Sequence, residues 1–163
     1  MAVTFQVIGF KKSGKTAVVE AATQALADKG LTVAVLKHNS HDASMDVPGT
    51  DTDRFSHAGA ATTVLVSENG VFTNQQNVQP TAAELIAQLP TNPDVVLVEG
   101  FKDADYPKLA MLRAGDNATD FADDTNVALF GSLTVHIQAQ LTSLEAITEW
   151  LVDRITKEVS QHA

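Results

Sequence analysis

The sequence predicts an α/β fold in which a mostly parallel, doubly wound sheet lies between two helical layers, a three-layer αβα arrangement. Three observations carry this prediction. Short apolar runs alternate along the chain with segments of helical periodicity, and one run, 31–37, is apolar almost throughout, as a strand covered on both faces should be. In addition, 163 residues with 44% apolar content suffice for one packed core. We therefore expect a single domain over residues 1–163.

The individual elements follow from local patterns. Strands are expected where apolar and β-branched residues cluster, at 3–8, 31–37, 61–67, 93–100, 107–113, 126–131 and 134–137. Helices are expected at 16–30, 51–58, 81–89 and 142 onward. Thr-x-x-Glu capping boxes that begin at Thr81 and Thr142 open the last two helices. Asn69-Gly70 favours a hairpin turn after the third strand.

Composition excludes several classes of function. The chain has no cysteine, which excludes disulfides and thiolate metal sites and agrees with a cytoplasmic location. No stretch approaches 18 uncharged apolar residues, so no membrane span is expected. A net charge of −9 disfavours nucleic acid and anionic lipid as partners. Four of the 11 basic residues nevertheless lie at Lys11, Lys12, Lys15 and Lys37, which indicates an anion site near the N-terminus.

The segment GFKKSGKT matches the phosphate-binding pattern G-x-x-x-x-G-K-[ST], with a predicted strand before it and a helix after it. Glycines let the backbone bend around an anion, and the N–H groups at a helix N-terminus attract phosphate. We expect Lys15 to reach the β- and γ-phosphates and Thr16 to bind Mg²⁺. The predicted nucleotide-binding residues are Gly9, Phe10, Lys11, Lys12, Ser13, Gly14, Lys15 and Thr16.

A phosphate-binding loop also requires a carboxylate near the metal. The apolar run that starts at Val95 ends in Glu99, and carboxyl ends of parallel strands line the ligand crevice. Glu99 is therefore expected to help hold Mg²⁺ or to orient an attacking water. Only Arg54 and Arg113 are plausible arginine fingers, so we expect slow hydrolysis at most.

A polar stretch after the second strand is a further candidate site. We expect it to act as a switch-like or second-ligand loop, with Asp46 or Asp51 as acidic ligands and Arg54 as a phosphate contact. The pair His38 and His41 leaves a zinc site open as an alternative, and a solvated polar loop is the simplest interpretation.

Several of these motifs occur together in one family. GFKKSGKT, the block LKHNSHDASMDVPGTDTDRFSHAGA, VLVEGFK and PKLAMLR occur in this order between residues 3 and 113. In this combination the chain resembles the MobB family of molybdopterin-guanine dinucleotide biosynthesis. The resemblance implies a P-loop NTPase-like fold, a homodimer, GTP as ligand and weak GTPase activity. It matches His38, Asp46, Gly49, Asp51 and Arg54 to the family's middle block and Glu99 to its acidic motif.

The resemblance also implies a function. Family members assist a MobA-like nucleotidyltransferase that joins GMP to molybdopterin, so that enzyme, and molybdopterin as a second ligand, are the expected partners. The chain has no Asn-Lys-x-Asp guanine signature, so GTP rather than ATP is implied by the resemblance alone. A small-molecule kinase that uses ATP through the same loop is the alternative. A non-hydrolysing interaction protein with a vestigial loop is the third hypothesis.

Overall fold

The computed structural model describes residues 2–39 and 46–162. The chain divides into two compact units, one made of Met1–His38 with Thr81–Ala163 and the other of Asn39–Pro80. The strands are β1 Val3–Gly9, β2 Val33–Lys37, β3 Thr62–Ser67, β4 Gly70–Gln75, β5 Val95–Glu99, β6 Lys108–Leu112 and β7 Val127–Ser132. The helices are α1 Lys15–Asp28, α2 Asp51–His57, α3 Ala82–Ala87 and α4 Leu144–His162, with a 3₁₀ helix at Ala118–Phe121. A single domain over the whole chain stays a prediction.

The first unit is built on a five-stranded sheet in the order β2-β5-β1-β6-β7, and every pairing is parallel. β1 lies in the centre, with β5 on one side and β6 on the other. The carboxyl ends of the five strands therefore share one edge, and the loop that follows β1 lies in the middle of that edge. The predicted parallel α/β fold is confirmed.

The side chains of the strands point alternately to the two faces of this sheet, and both faces are covered by other elements. On one face, Phe5, Val7 and their neighbours pack against α1 and α4, which bury Val18, Leu26, Ile147 and further apolar residues. The other face is covered by α3, the 3₁₀ helix and the segment after β5. The helical spacing predicted for the buried side of α1, with Val18, Val19, Ala22 and Leu26, is confirmed.

The second unit contains α2 and the antiparallel hairpin of β3 and β4. Thr50 caps α2 and accepts a hydrogen bond from the backbone N–H of Asp53. The predicted hairpin is confirmed, but Ser67 pairs with Gly70, so the turn lies at Glu68-Asn69, one residue earlier than expected.

Two details of the predicted secondary structure are wrong. No strand forms at 134–137, because the chain turns after β7 so that the N–H of Ser132 donates to Leu141 O at 2.9 Å. Val135 and Ile137 are left 93% and 99% exposed. α4 is capped by Ser143 instead of Thr142, since Ser143 Oγ accepts from the N–H of Ala146 at 3.1 Å. Within the described ranges, no helix has the length and hydropathy needed to span a bilayer.

Candidate functional site

The loop between β1 and α1 requires glycine at both of its fixed positions. Gly9 and Gly14 have φ values of +147° and +92°, which side chains rarely permit. A Cβ on Gly9 would lie 2.6 Å from the backbone oxygen of Met111, and one on Gly14 would lie 2.4 Å from Cδ1 of Leu133. The loop thus passes close to the ends of β6 and β7, and neither glycine position has room for a side chain.

The amides of this loop are suited to an anion. Within the loop, the N–H of Ser13 donates to Phe10 O at 3.2 Å. Among the described residues, the N–H groups of Lys11, Lys12 and Gly14 meet no protein acceptor. They lie next to the N-terminus of α1, where the helix dipole adds positive potential. The loop therefore offers several backbone donors to one negatively charged group.

Lys15 lies across this loop. Its Nζ donates to Gly9 O at 2.9 Å and to Phe10 O at 2.8 Å. Burial lowers the pKa of Lys15, Glu99 opposes this effect, and the nearby charges of three further cations add to it. These cations are Lys37, Lys102 and Arg113. A negatively charged ligand would therefore stabilise the ionised form of Lys15.

Thr16, Glu99 and Lys37 meet beside the loop. Thr16 Oγ1 donates to the Glu99 carboxylate, with oxygen distances of 3.1 and 3.2 Å. Lys37 Nζ lies 2.7 Å from Glu99 Oε1 and 3.1 Å from Thr16 Oγ1. The Glu99 side chain is 7% exposed, and that of Lys37 is 52% exposed. The hydroxyl and the carboxylate thus form a small oxygen site that holds a cation, here the lysine ammonium.

Two buried polar residues fix the segment that follows Glu99. Gln6 Nε2 donates to Gly100 O and to Phe101 O, both at 2.6 Å. On the neighbouring strand, Lys108 Nζ donates to Ala104 O at 2.6 Å. Both side chains are fully buried. They tie the backbone of this segment to the sheet and so determine where its side chains lie.

The residues of the polar stretch that fall in the second unit support its local structure. Asp46 Oδ1 accepts from Thr52 Oγ1 at 2.7 Å, and the Gly49 N–H donates to Asp53 at 2.8 Å. Asp51 and Arg54 form an exposed ion pair at 3.5 Å. These contacts order the start of α2, and a ligand role for these residues stays a prediction.

His38 lies in the first unit, directly after β2. Its backbone N–H donates to Glu99 O at 2.9 Å, and its ring centroid is 4.9 Å from that of Phe101. His41, the other residue of the zinc hypothesis, lies outside the described residues. In the described part of the chain, no three His, Cys, Asp or Glu side chains form a metal-binding group.

The structure brings Gly9 to Thr16 together with Glu99, as the sequence indicated. Lys37 belongs to the group of lysines from which an anion site was predicted, and it lies at this site, whereas sequence reasoning did not single out Lys102. Lys37 ends β2, and Lys102 follows β5 by three residues. The rule that parallel strands end at a common edge explains the place of Lys37, because it holds the position in β2 that Glu99 holds in β5.

Comparison with known proteins gives relatives of one kind. A putative molybdopterin-guanine dinucleotide biosynthesis adapter protein of Methanocaldococcus jannaschii is 38% identical over 124 residues, 72% of this chain and 50% of the relative. A probable adapter protein of the same description from Bacillus subtilis is 38% identical over 112 residues, 66% of this chain and 63% of the relative. The chain thus spans about half to somewhat under two thirds of the length of these relatives.

Solved structures show the same fold. The crystal structure of Bacillus subtilis MobB matches with a TM-score of 0.70 and 22% identity, over 93% of this chain and 97% of that one. The family model described as molybdopterin guanine dinucleotide synthesis protein B matches residues 4–132. This match includes the loop, Glu99 and all seven strands apart from Val3, the first residue of β1, and the chain therefore belongs to the MobB family.

Proposed function

We propose that this protein is a GTP-binding adapter of molybdenum cofactor biosynthesis that acts in the cytoplasm. In this role it assists a MobA-like nucleotidyltransferase in joining GMP to molybdopterin. The observation that carries the proposal is the loop after β1, where free backbone donors and Lys15 lie beside the Thr16–Glu99 pair. The adapter function is the one given in the names of the relatives.

Phosphate binding follows from the chain's own groups. The phosphate oxygens of a triphosphate would accept hydrogen bonds from the N–H groups of the loop. They would also draw the Lys15 ammonium away from its two carbonyl partners, Gly9 O and Phe10 O. Charge-assisted hydrogen bonds contribute roughly 1.5–3 kcal/mol each, so a few of them give tight binding. Burial is the main cause of the lowered pKa of Lys15, and the repulsion from neighbouring cations that adds to it would also be relieved.

The residues present fit Mg²⁺. Mg²⁺ prefers hard oxygen ligands, and the Thr16 hydroxyl and Glu99 carboxylate provide them at a place where the Lys37 ammonium already sits as a cation. We propose that Thr16 and Glu99 hold the ion and that Lys37 moves toward phosphate. When bound, the ion neutralises charge on the phosphate oxygens.

Hydrolysis is expected to be slow. In the proposed complex the Glu99 carboxylate helps to hold the ion, which limits it as an acceptor for a water proton. Asp116 accepts from Arg113 Nη2 at 2.7 Å and so partly neutralises the charge that Arg113 could offer to a transition state. A turnover near that of kinases, on the order of 1–100 per second, would contradict an adapter role and favour the kinase alternative.

Calorimetric titration of GTP and ATP in the presence of Mg²⁺ tests the proposal. We expect GTP to bind more tightly than ATP, and the protein to raise the yield of guanine dinucleotide when it is added to a MobA-like nucleotidyltransferase with GTP. A preference for ATP, together with release of ADP that depends on an added acceptor, would replace the proposal with a small-molecule kinase.

A second prediction concerns the metal. Glu99→Gln keeps the shape of the side chain but removes its charge, so we expect the Mg²⁺-dependent gain in GTP affinity to fall by about 10-fold or more. Asp94→Asn is the matched control, because Asp94 lies just before β5, at the opposite end from Glu99, where it accepts from Thr32. Titrations with Mg²⁺ and with EDTA measure the gain. An equal gain in both variants would remove Glu99 from the metal site.

We also propose a homodimer. The β3–β4 hairpin exposes the apolar side chains of Val64, Val66, Val71 and Phe72, each more than half exposed, and such patches are typical of protein contacts. Light scattering measures the mass in solution directly.

A further inference from the structure

An aromatic platform carries two cations beside the loop. The Phe10 ring centroid lies 4.9 Å from Lys102 Nζ and 5.0 Å from Arg113 Cζ. Phe121 supports it, with its ring centroid 5.4 Å from that of Phe10 and 5.6 Å from Lys102 Nζ. Aromatic rings attract cations to their faces, so Phe10 holds both positive groups near the loop.

Hydrogen bonds fix the orientation of the Arg113 guanidinium, in addition to its attraction to the Phe10 ring. Its Nη2 donates to Asp116 Oδ1 at 2.7 Å, its Nε donates to the same carboxylate at 3.1 Å, and its Nη1 donates to Lys11 O at 3.3 Å. Hydrogen bonding to Arg113 lowers the pKa of Asp116, so the pair stays ionised at neutral pH. The Arg113 side chain is 45% exposed, so a ligand can contact it.

The positive charge here exceeds its local compensation. Glu99 is paired with Lys37, and Asp116 with Arg113. Among the described residues, no carboxylate lies within ion-pair distance of Lys15 or Lys102. Lys11 and Lys12 are exposed on the loop itself. In a protein of net charge −9, such a concentration of cations indicates an anionic ligand. This ligand carries negative charge in addition to that of the group bound by the loop amides.

We propose that Lys102 and Arg113, held over Phe10, form a phosphate-binding site at the mouth of the loop, next to the site of the loop amides. The ligand is a phosphate dianion, either the γ-phosphate of the bound nucleotide or the phosphate monoester of a second ligand. This inference rests on the proposed function for its nucleotide.

The test compares Lys102→Gln with Lys29→Gln. Both substitutions remove one exposed lysine charge, but Lys29 lies at the far end of α1, about 20 Å from the loop. GTP and GDP are titrated into each protein, and inorganic phosphate is titrated into the ligand-free and the GDP-saturated forms. Lys102→Arg keeps the positive charge, which can still lie over the ring, so it should retain more phosphate affinity than Lys102→Gln.

Two results support the site and identify the phosphate. If the γ-phosphate binds here, Lys102→Gln weakens GTP about 10-fold or more and leaves GDP unchanged, because a charge-assisted contact is lost. If a separate ester binds here, GTP and GDP are unchanged, and inorganic phosphate no longer binds to the GDP-saturated variant. Affinities of Lys102→Gln within about 2-fold of those of Lys29→Gln for all three ligands would overturn the proposal.

The outcome is separable from that of the proposed function. A wild-type protein that binds neither GTP nor GDP would refute the adapter's nucleotide site. The titration of ligand-free protein with inorganic phosphate would then decide on Lys102: a weaker affinity in Lys102→Gln retains the anion site, and an equal affinity removes it.

Discussion

Replacing Lys15 with alanine is expected to abolish measurable GTP binding and leave the protein folded. Lys15 is the residue of the loop that combines a positive charge with a reach to two loop carbonyls, Gly9 O and Phe10 O. Loss of the two contacts expected between Lys15 and the β- and γ-phosphates, roughly 1.5–3 kcal/mol each, corresponds to about a 10²- to 10⁴-fold loss of affinity. Calorimetric titration measures the loss, and a thermal melt of the ligand-free protein serves as the control.

That melt should shift little. Burial lowers the pKa of Lys15, so its ionised form costs free energy in the folded state, and the substitution relieves this cost while it removes two hydrogen bonds. Undiminished GTP affinity in Lys15→Ala would disprove the loop as the phosphate site.

The pH profile of the wild type provides a second check on Lys15. Phosphate binds the ionised lysine, so affinity is complete below the pKa of Lys15 in the free protein and declines as pH rises through it. Because that pKa is lowered from 10.5, the decline should begin at a lower pH than for an ordinary lysine. An affinity that stays constant through this range would show that the ionisation of Lys15 does not govern binding.

Gly9→Ala is expected to destabilise the protein by about 2–5 kcal/mol, the sum of backbone strain and a steric clash. The new Cβ would lie 2.6 Å from Met111 O, a backbone atom of the neighbouring strand that cannot move without disturbing the sheet. For a domain of this size the melting temperature should fall by roughly 5–15 °C. Thermal or urea unfolding measures the effect.

Gly30→Ala isolates the clash from the strain. Gly30 also has a positive φ, +82°, but nothing lies within 4 Å of its added Cβ. Strain alone should cost about 1–2 kcal/mol there. Equal destabilisation of the two variants would show that the contact with β6 contributes nothing.

The parts of the site that sequence predicts are those defined by local pattern and by strand ends. The spacing of Gly9, Gly14 and Lys15 specifies the loop without any knowledge of the rest of the chain. Glu99 is predictable because an apolar run ends at it, and the carboxyl ends of parallel strands meet. The pairing of β5 with β1 then places it beside Thr16.

The platform at Phe10 could not be predicted in the same way. The position of Lys102 depends on Phe101, whose φ is +51°, and on the buried contacts of Gln6 and Lys108 that hold this segment. No local pattern encodes contacts between residues almost a hundred positions apart. The strand expected at 134–137 failed for a related reason: alternating apolar residues indicate that a segment suits a strand, but not that a partner strand is available to pair with it.

The central position of β1 has a consequence for synthesis on the ribosome. This strand is made well before its neighbours β5 and β6, which begin at Val95 and Lys108. At translation rates of about 5–20 residues per second, its apolar residues wait roughly 5–20 seconds for their partners. During that interval Phe5, Val7 and Ile8 have no sheet to join, so we expect chaperones to bind the nascent chain until β6 has emerged.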